Sequence, residues 1–233
     1  MNPYLATLFT LLIAVSFLRL MDFFAHRGVI GSKLSRKIIH IGTGPIFVLC
    51  WLMFPDVTIS RYLAALVPLL ITIQFVLVGM GIIKDEAAVN AMTRTGNPKE
   101  ILRGPLYYGI MFVVMTVLYW KDSPIGITAL MMMCGGDGLA DIVGRRVRSP
   151  KLFWSREKSV GGSLSVFAGG ALMTAFILFV FVGVGVFAAP FRGYLAPIFW
   201  VALGGALVES LPFKDIDNVT LTAAAVLIGH LVF

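Results

Sequence analysis

The sequence predicts an all-α, polytopic membrane helix bundle of about eight transmembrane helices, and three observations lead to this prediction. Of the 233 residues, 58% are hydrophobic and only 13% are charged, whereas a soluble domain carries about 25% charged residues. The mean hydropathy is +0.92. Most charged residues lie between long apolar runs. The whole chain, 1–233, is therefore expected to form a single integral-membrane domain.

A transmembrane helix needs roughly 20 apolar residues, and eight stretches approach this length. The first has no basic leader and no small-residue cleavage site, so we interpret it as a span rather than a signal peptide. The fourth and the last stretches are short, which leaves seven spans as the alternative. The predicted spans are 4–24, 37–54, 60–82, 105–120, 124–144, 163–187, 194–210 and 219–233.

The basic residues predict the orientation of these spans. Of the 19 Lys and Arg residues, 15 lie in the loops that follow odd-numbered spans and only 3 in the alternate connections. The positive-inside rule then places the odd-numbered loops in the cytoplasm and both termini on the opposite side. The net charge of +7 is thus explained by the lipid bilayer, without a nucleic acid partner.

Two acids interrupt the fifth span in the stretch CGGDGLADIVGRR, 134–146. Asp137 lies thirteen residues after Pro124, about 20 Å along the helix axis, which places it towards the cytoplasmic end. Asp137, Asp141 and Arg145 share one helical face. The structural alternative is an ion pair between Asp141 and Arg145. Two acids one turn apart beside glycines suit Mg²⁺ better, because Mg²⁺ takes one or two carboxylates plus phosphate oxygens.

A glycine-rich turn leads into the sixth span, in KSVGGS, residues 158–163. Such a turn at a helix N-terminus presents backbone N–H groups and a positive dipole end, which favour phosphate. The alternative is that Ser163 simply caps the helix. The candidate phosphate-binding residues of this turn are Lys158, Ser159, Gly161, Gly162 and Ser163. A Walker A motif and the protein-kinase signatures are absent from the sequence.

Further polar groups fall on the same predicted side of the membrane. His40 opens the second span in SRKIIHIGTGP, 35–45, and is a candidate catalytic base or a structural histidine. Glu209, Asp217 and Asn218 lie between the last two spans. Acids, a lysine, arginines and a phosphate-type turn at a membrane boundary predict phosphoryl or nucleotidyl transfer to a lipid alcohol or lipid phosphate.

These motifs resemble the membrane polyprenol kinase family, which includes phytol, farnesol and dolichol kinases and the CTP-dependent diacylglycerol kinase. The resemblance extends over most of the chain and is most specific for the phytol/farnesol kinase branch. The segments that carry it are GDGLADIVGRR (136–146), KSVGGS (158–163), RKIIHIGTGPIF (36–47), GIIKDEAAVNAMTRTGNPKEILRGPLYYG (81–109), YW…SPIG (119–126) and VESLP…DN (208–218).

The resemblance implies that the protein phosphorylates an isoprenoid alcohol with a nucleoside triphosphate, CTP or UTP, assisted by Mg²⁺. It implies Asp137 and Asp141 as metal and catalytic candidates and Arg145, Lys158 and Ser163 as phosphate-binding candidates, with Glu209, Asp217 and Asn218 completing the site. It also implies a bacterial inner or thylakoid membrane, or a plastid membrane in a plant. Gly161 stands where many members have an acid, which favours phytol over dolichol or diacylglycerol. Relatives often have adjacent acids before the Asn, so either Asp215 or Asp217 could be the functional one here.

Two other functions are compatible with the residues. A cytidylyltransferase that makes a CDP-lipid would use a similar site, but it would release pyrophosphate. A cation-coupled transporter would use Asp137 and Asp141 as its ion site, and inverted repeats, which would favour it, are not visible in the sequence.

Overall fold

The computed structural model describes residues 1–213 and 216–233, with all of their side chains except those of Ser32 and Arg145. Within these residues the chain is helical apart from one short β-hairpin and the connecting turns, which confirms the predicted helical bundle. The chain divides into two compact units, Met1–Val117 and Leu118–Phe233.

The first unit holds long apolar helices whose ends follow local capping signals. Asn2 accepts a hydrogen bond from the Tyr4 backbone N–H at the start of α1, and Asp85 accepts one from the Ala88 N–H at the start of α4, as helix N-caps commonly do. The α-helices described here are α1 Pro3–His26, α2 Ser32–Cys50, α3 Ile59–Gly79, α4 Glu86–Met92 and α5 Gly104–Leu118.

The second unit contains the fifth predicted span, which is not a uniform helix. It begins as α6, Pro124–Met131, widens into a π-helical segment, Met132–Asp137, and continues as α7, Gly138–Arg146. A hairpin of antiparallel strands then leads into the next span. The remaining elements described are β1 Lys151–Leu152, β2 Ser155–Ser159, α8 Val160–Gly183, a 3₁₀ helix at Phe191–Tyr194, α9 Leu195–Glu209 and α10 Asp217–Val232.

Six helical segments among the described residues are long and apolar enough to cross a membrane, and they coincide with six of the eight predicted spans. The predicted short fourth span is lengthened by a 3₁₀ helix at Pro98–Leu102. The other two predicted spans are also helical, but α2 carries three basic residues near its start and α10 is short. The six segments are Pro3–His26, Ile59–Gly79, Pro98–Leu118, Pro124–Gly144, Val160–Gly183 and Phe191–Glu209.

The fifth span is the core of the second unit. In an 18-residue apolar stretch of Pro124–Gly144, 72% of the residues are buried, against 11% in the corresponding stretch of Pro3–His26. Few residues of α1 are therefore buried, whereas the fifth span is largely enclosed by protein. The run from Met131 to Cys134 is fully buried and packs against α8, α9 and α10. The acid that follows this run therefore emerges from a closely packed interior.

Glycines allow α8 to approach the π-helical segment at backbone distance. A Cβ atom on Gly169 would lie 2.5 Å from the Gly135 carbonyl oxygen, and one on Gly135 would lie 2.8 Å from the Gly169 oxygen. The absence of side chains at these two positions therefore allows the two segments to pack closely. The π turn places Asp137 at its C-terminal end, and π turns are often found at functional sites.

We expect Gly169→Ala to destabilise the protein, because the added methyl group meets backbone atoms that cannot rotate away. Overpacking of this kind costs about 1–3 kcal/mol, so the thermal unfolding midpoint of the purified protein should fall. Gly183→Ala, on the same helix, is the matched control because a Cβ there would meet nothing within 4 Å. An equal midpoint for the two variants would contradict the close-packing role of Gly169.

Candidate active site

Three carboxylates from three separate segments meet at one end of the second unit. Asp137 ends the π-helical segment, Glu209 is the last residue of α9, and Asp217 is the first residue of α10. Their ligand oxygens all lie within 4.8 Å of one another. Asp137 and Asp217 are partly exposed, whereas Glu209 is only 7% exposed. We call these three residues the acid group.

Helix ends fix where two of these acids lie. Asp217 occupies the first turn of α10, where the positive end of the helix dipole stabilises a carboxylate. Glu209 occupies the last turn of α9, where the dipole end is negative and the same charge is disfavoured. A buried carboxylate at that position needs a cationic partner.

Lys158 supplies that partner. It lies on β2, its ammonium donates a short hydrogen bond to Glu209 Oε1, and it lies 3.6 Å from Asp217 Oδ2. Burial lowers the pKa of Lys158, but the hydrogen bond to Glu209 and the charges of Glu209, Asp217 and Asp137 raise it, and the net result is a raised pKa. The side chain is therefore an ammonium at neutral pH.

The donor set fits a divalent cation. With its three acids ionised and Lys158 protonated, the cluster carries a formal charge of −2, and carboxylate oxygens are the ligands that Mg²⁺ prefers. Three carboxylate oxygens within 4.8 Å of one another are therefore a candidate site for a divalent cation.

The start of α8 is already hydrogen-bonded within the protein. The backbone N–H of Val160 donates to the Pro150 carbonyl at 3.0 Å, that of Gly161 to Ser149 Oγ at 3.0 Å, and that of Gly162 to Ser159 Oγ at 3.2 Å. Phosphate could reach these amides only by displacing these bonds. The phosphate-binding role of the turn stays a prediction.

Ser159, not Ser163, caps α8. Its side chain accepts from Gly162 at the N-cap position, so the alternative that Ser163 caps this helix is wrong. The Ser163 hydroxyl oxygen is buried and has no hydrogen-bond partner among the residues that the structure describes. The glycines of the turn have a packing role, since a Cβ on Gly161 would lie 2.8 Å from Ser149 Oγ.

The other predicted site residues lie around the acid group or outside it. Asp141 lies one turn further along α7 and is not a member of the acid group. Asn218 is buried beside Asp217, and its backbone carbonyl accepts a hydrogen bond from the Thr222 hydroxyl at 2.6 Å. The Arg145 side chain and Asp215 lie outside the described part of the chain, so their roles, including the Asp141–Arg145 pair, stay predictions.

His40 belongs to the first unit, on α2. The centroid of its ring lies 4.5 Å from the centroid of the Tyr108 ring, and its backbone carbonyl accepts a hydrogen bond from the Tyr108 hydroxyl at 2.6 Å. This packing is what a structural histidine would show. Its catalytic role stays a prediction.

Sequence reasoning missed Trp154, which lies in the hairpin turn. Its indole N–H donates to Ser210 Oγ at 3.1 Å and to the Ser210 carbonyl at 3.2 Å. Lys158 contacts Glu209, the residue before Ser210, so the hairpin holds the end of α9 at two consecutive residues. The sequence signal was the aromatic pair Phe153–Trp154 inside an otherwise basic loop.

Comparison with known proteins gives relatives along almost the entire chain. The chain is 43% identical over 230 residues to a probable phytol kinase 1, chloroplastic, of Oryza sativa subsp. japonica, covering 98% of this chain and 73% of the relative. It is 40% identical over 222 residues to a probable phytol kinase, chloroplastic, of Zea mays, covering 94% and 73%. It is 37% identical over 226 residues to the farnesol kinase, chloroplastic, of Arabidopsis thaliana, covering 96% and 73%.

No protein-family model and no solved structure matches the chain. The relatives nevertheless share 37% to 43% sequence identity with this chain, over nearly all of its length and 73% of their own. The chain belongs to the family of phytol and farnesol kinases.

Proposed function

We propose that this protein is a lipid alcohol kinase that phosphorylates an isoprenoid alcohol, with phytol as the expected acceptor and CTP or UTP as the donor. The observation that carries the proposal is the acid group with Lys158, where carboxylates from three segments of an apolar helix bundle meet. The names of the relatives, phytol kinase and farnesol kinase, support the substrate class.

The chemistry asks mainly for positioning and charge neutralisation. The alcohol oxygen attacks the γ-phosphorus in line, the bond to the β-phosphate oxygen breaks, the nucleoside diphosphate leaves, and the hydroxyl proton passes to a base. Asp137, Asp141 and His40 are the candidate bases. Lys158 is suited to hold phosphate oxygens near the acid group.

The acid group is where we propose that Mg²⁺ binds. Asp137, Glu209 and Asp217 would hold it, and a bound Mg²⁺ would neutralise charge on the donor phosphates. Asp141 remains a further candidate ligand, one turn away on α7.

The membrane setting follows from the apolar spans. Glu209 ends the apolar segment Phe191–Glu209, Asp217 begins α10, and Asp137 lies inside the segment Pro124–Gly144, past its midpoint. An alcohol with its chain in the lipid would therefore present its hydroxyl near the site. We propose that this side is cytoplasmic or stromal and that the termini lie opposite, from the distribution of basic residues. The relatives' names support a plastid membrane, with a thylakoid or bacterial inner membrane as the equivalent elsewhere.

A donor-by-acceptor panel tests the proposal. The purified protein is given labelled CTP, UTP or ATP with phytol, farnesol, geranylgeraniol, dolichol or diacylglycerol. We expect a labelled phytyl monophosphate and a nucleoside diphosphate, with CTP or UTP as the better donor. Release of pyrophosphate would indicate a cytidylyltransferase instead, and the absence of any labelled alcohol would refute the kinase function.

A further inference from the structure

The turn of the β-hairpin is made of two aromatic residues. Two-residue hairpin turns usually hold residues such as Asn and Gly, yet here Phe153 is 91% exposed and Trp154 is 43% exposed. Their rings pack edge to face with centroids 4.4 Å apart. Exposing such an aromatic pair to water costs free energy, so we expect the tip to contact a less polar environment.

The hydrogen bonds of Trp154 fix the depth of this tip. Its indole N–H is bound to Ser210, the residue directly after the apolar segment Phe191–Glu209. The tip therefore lies level with the end of a membrane span. Trp154, Leu207 and Leu211 also line an almost wholly apolar groove of about 280 Å³, so the apolar surface of the span continues to the tip.

Basic side chains flank the aromatic tip. Arg148, Lys151 and Arg156 are exposed on the hairpin and on the segment leading into it. Aromatic side chains concentrate at the membrane–water interface, and exposed Lys and Arg are attracted to anionic lipid head groups. The combination fits a bilayer surface better than a protein partner, whose contact surface would have to lie at the same membrane depth.

We propose that the Phe153–Trp154 tip is inserted into the interfacial layer of the bilayer and anchors the hairpin there. The strand that carries Lys158 begins directly after the tip, so this anchor holds Lys158 at the depth of the acid group. The proposal concerns membrane insertion alone, and its test does not depend on the kinase activity.

A fluorophore attached at the tip tests this insertion. Cys50 and Cys134 are buried, so a single added cysteine is the reactive one in the folded protein. Phe153→Cys is labelled with an environment-sensitive dye in liposomes of phosphatidylcholine and phosphatidylglycerol, with Glu157→Cys on β2 as the matched control. We expect the label at 153 to emit at shorter wavelength, to be quenched by nitroxide lipids, and to be several-fold less quenched by aqueous iodide than the label at 157.

Equal iodide quenching at positions 153 and 157 would overturn the proposal. Shielding of position 153 from both iodide and nitroxide lipids would also overturn it, because a protein surface such as a second copy would then cover the tip. Labelled wild-type protein measures any reaction at the native cysteines. If the Phe153 variant does not fold, Leu211→Cys, on the same apolar surface, tests the insertion with the same quenchers.

Discussion

Asp137→Asn is expected to lower the turnover of phytol phosphorylation by on the order of 10²-fold or more. The substitution keeps the shape of the side chain but removes one of the three charges that meet within 4.8 Å. Binding of the divalent cation should weaken as well, since the amide is a poorer ligand than the carboxylate. The measurements are steady-state kinetics and the Mg²⁺ concentration that gives half-maximal rate.

Two controls separate the role of Asp137 from a general effect of lost charge. Asp122→Asn removes an exposed carboxylate in the turn before α6 and should leave turnover near the wild-type value. Asp141→Asn removes an acid that is not a member of the acid group and should cost less than Asp137→Asn. Full activity of the Asp137 variant would show that the acid group is not the catalytic centre, whereas a larger loss at Asp141 would assign the proton-accepting role to Asp141 rather than to Asp137.

The transmembrane helices and the positions of the acids along them can be predicted from the sequence, because hydropathy and charge depend on local composition. Long apolar runs predict the six segments that prove long enough to span a membrane. The same reading places Glu209 and Asp217 at span ends and Asp137 inside the fifth span, past its midpoint, where they are found. The resemblance to polyprenol kinases supplied the expectation that they act together.

Features that depend on contacts between distant segments could not be predicted. The π turn at Met132–Asp137 accompanies the backbone contact between Gly135 and Gly169, and periodicity treats that stretch as an ordinary helix. The hairpin lacks an alternating apolar pattern, and β1 is only two residues long. The sequence also suggested Lys158 as a phosphate ligand, whereas its partners in the structure are Glu209 and Asp217. The pairing of Lys158 with Glu209 joins residues 51 positions apart, so it could not be predicted without the fold.

The Lys158 ammonium neutralises part of the negative charge of the acid group, which a metal ion would also neutralise. We therefore expect the second large effect from Lys158→Met. In Lys158→Met the acid group loses its ammonium partner, so its attraction for a divalent cation increases. Two unit charges about 4 Å apart interact by roughly 1 kcal/mol in bulk water and by roughly 4 kcal/mol near a protein surface. Because Asp137 and Asp217 are partly exposed, solvent screens the site and we expect the lower part of that range, which is about tenfold tighter Mn²⁺ binding without nucleotide.

Turnover should move in the opposite direction, falling by on the order of 10²-fold, because the ammonium proposed to hold the donor phosphates is gone. Mn²⁺ binding is followed by electron paramagnetic resonance and turnover by product formation. Lys151→Met is the matched control, since Lys151 lies on the other strand of the same hairpin and donates to the Glu157 carbonyl at 3.2 Å, so both quantities should stay near wild type. Unchanged Mn²⁺ affinity in Lys158→Met would mean that the acid group is not the cation site, whereas tighter binding with full turnover would mean that Lys158 balances charge without serving the phosphates.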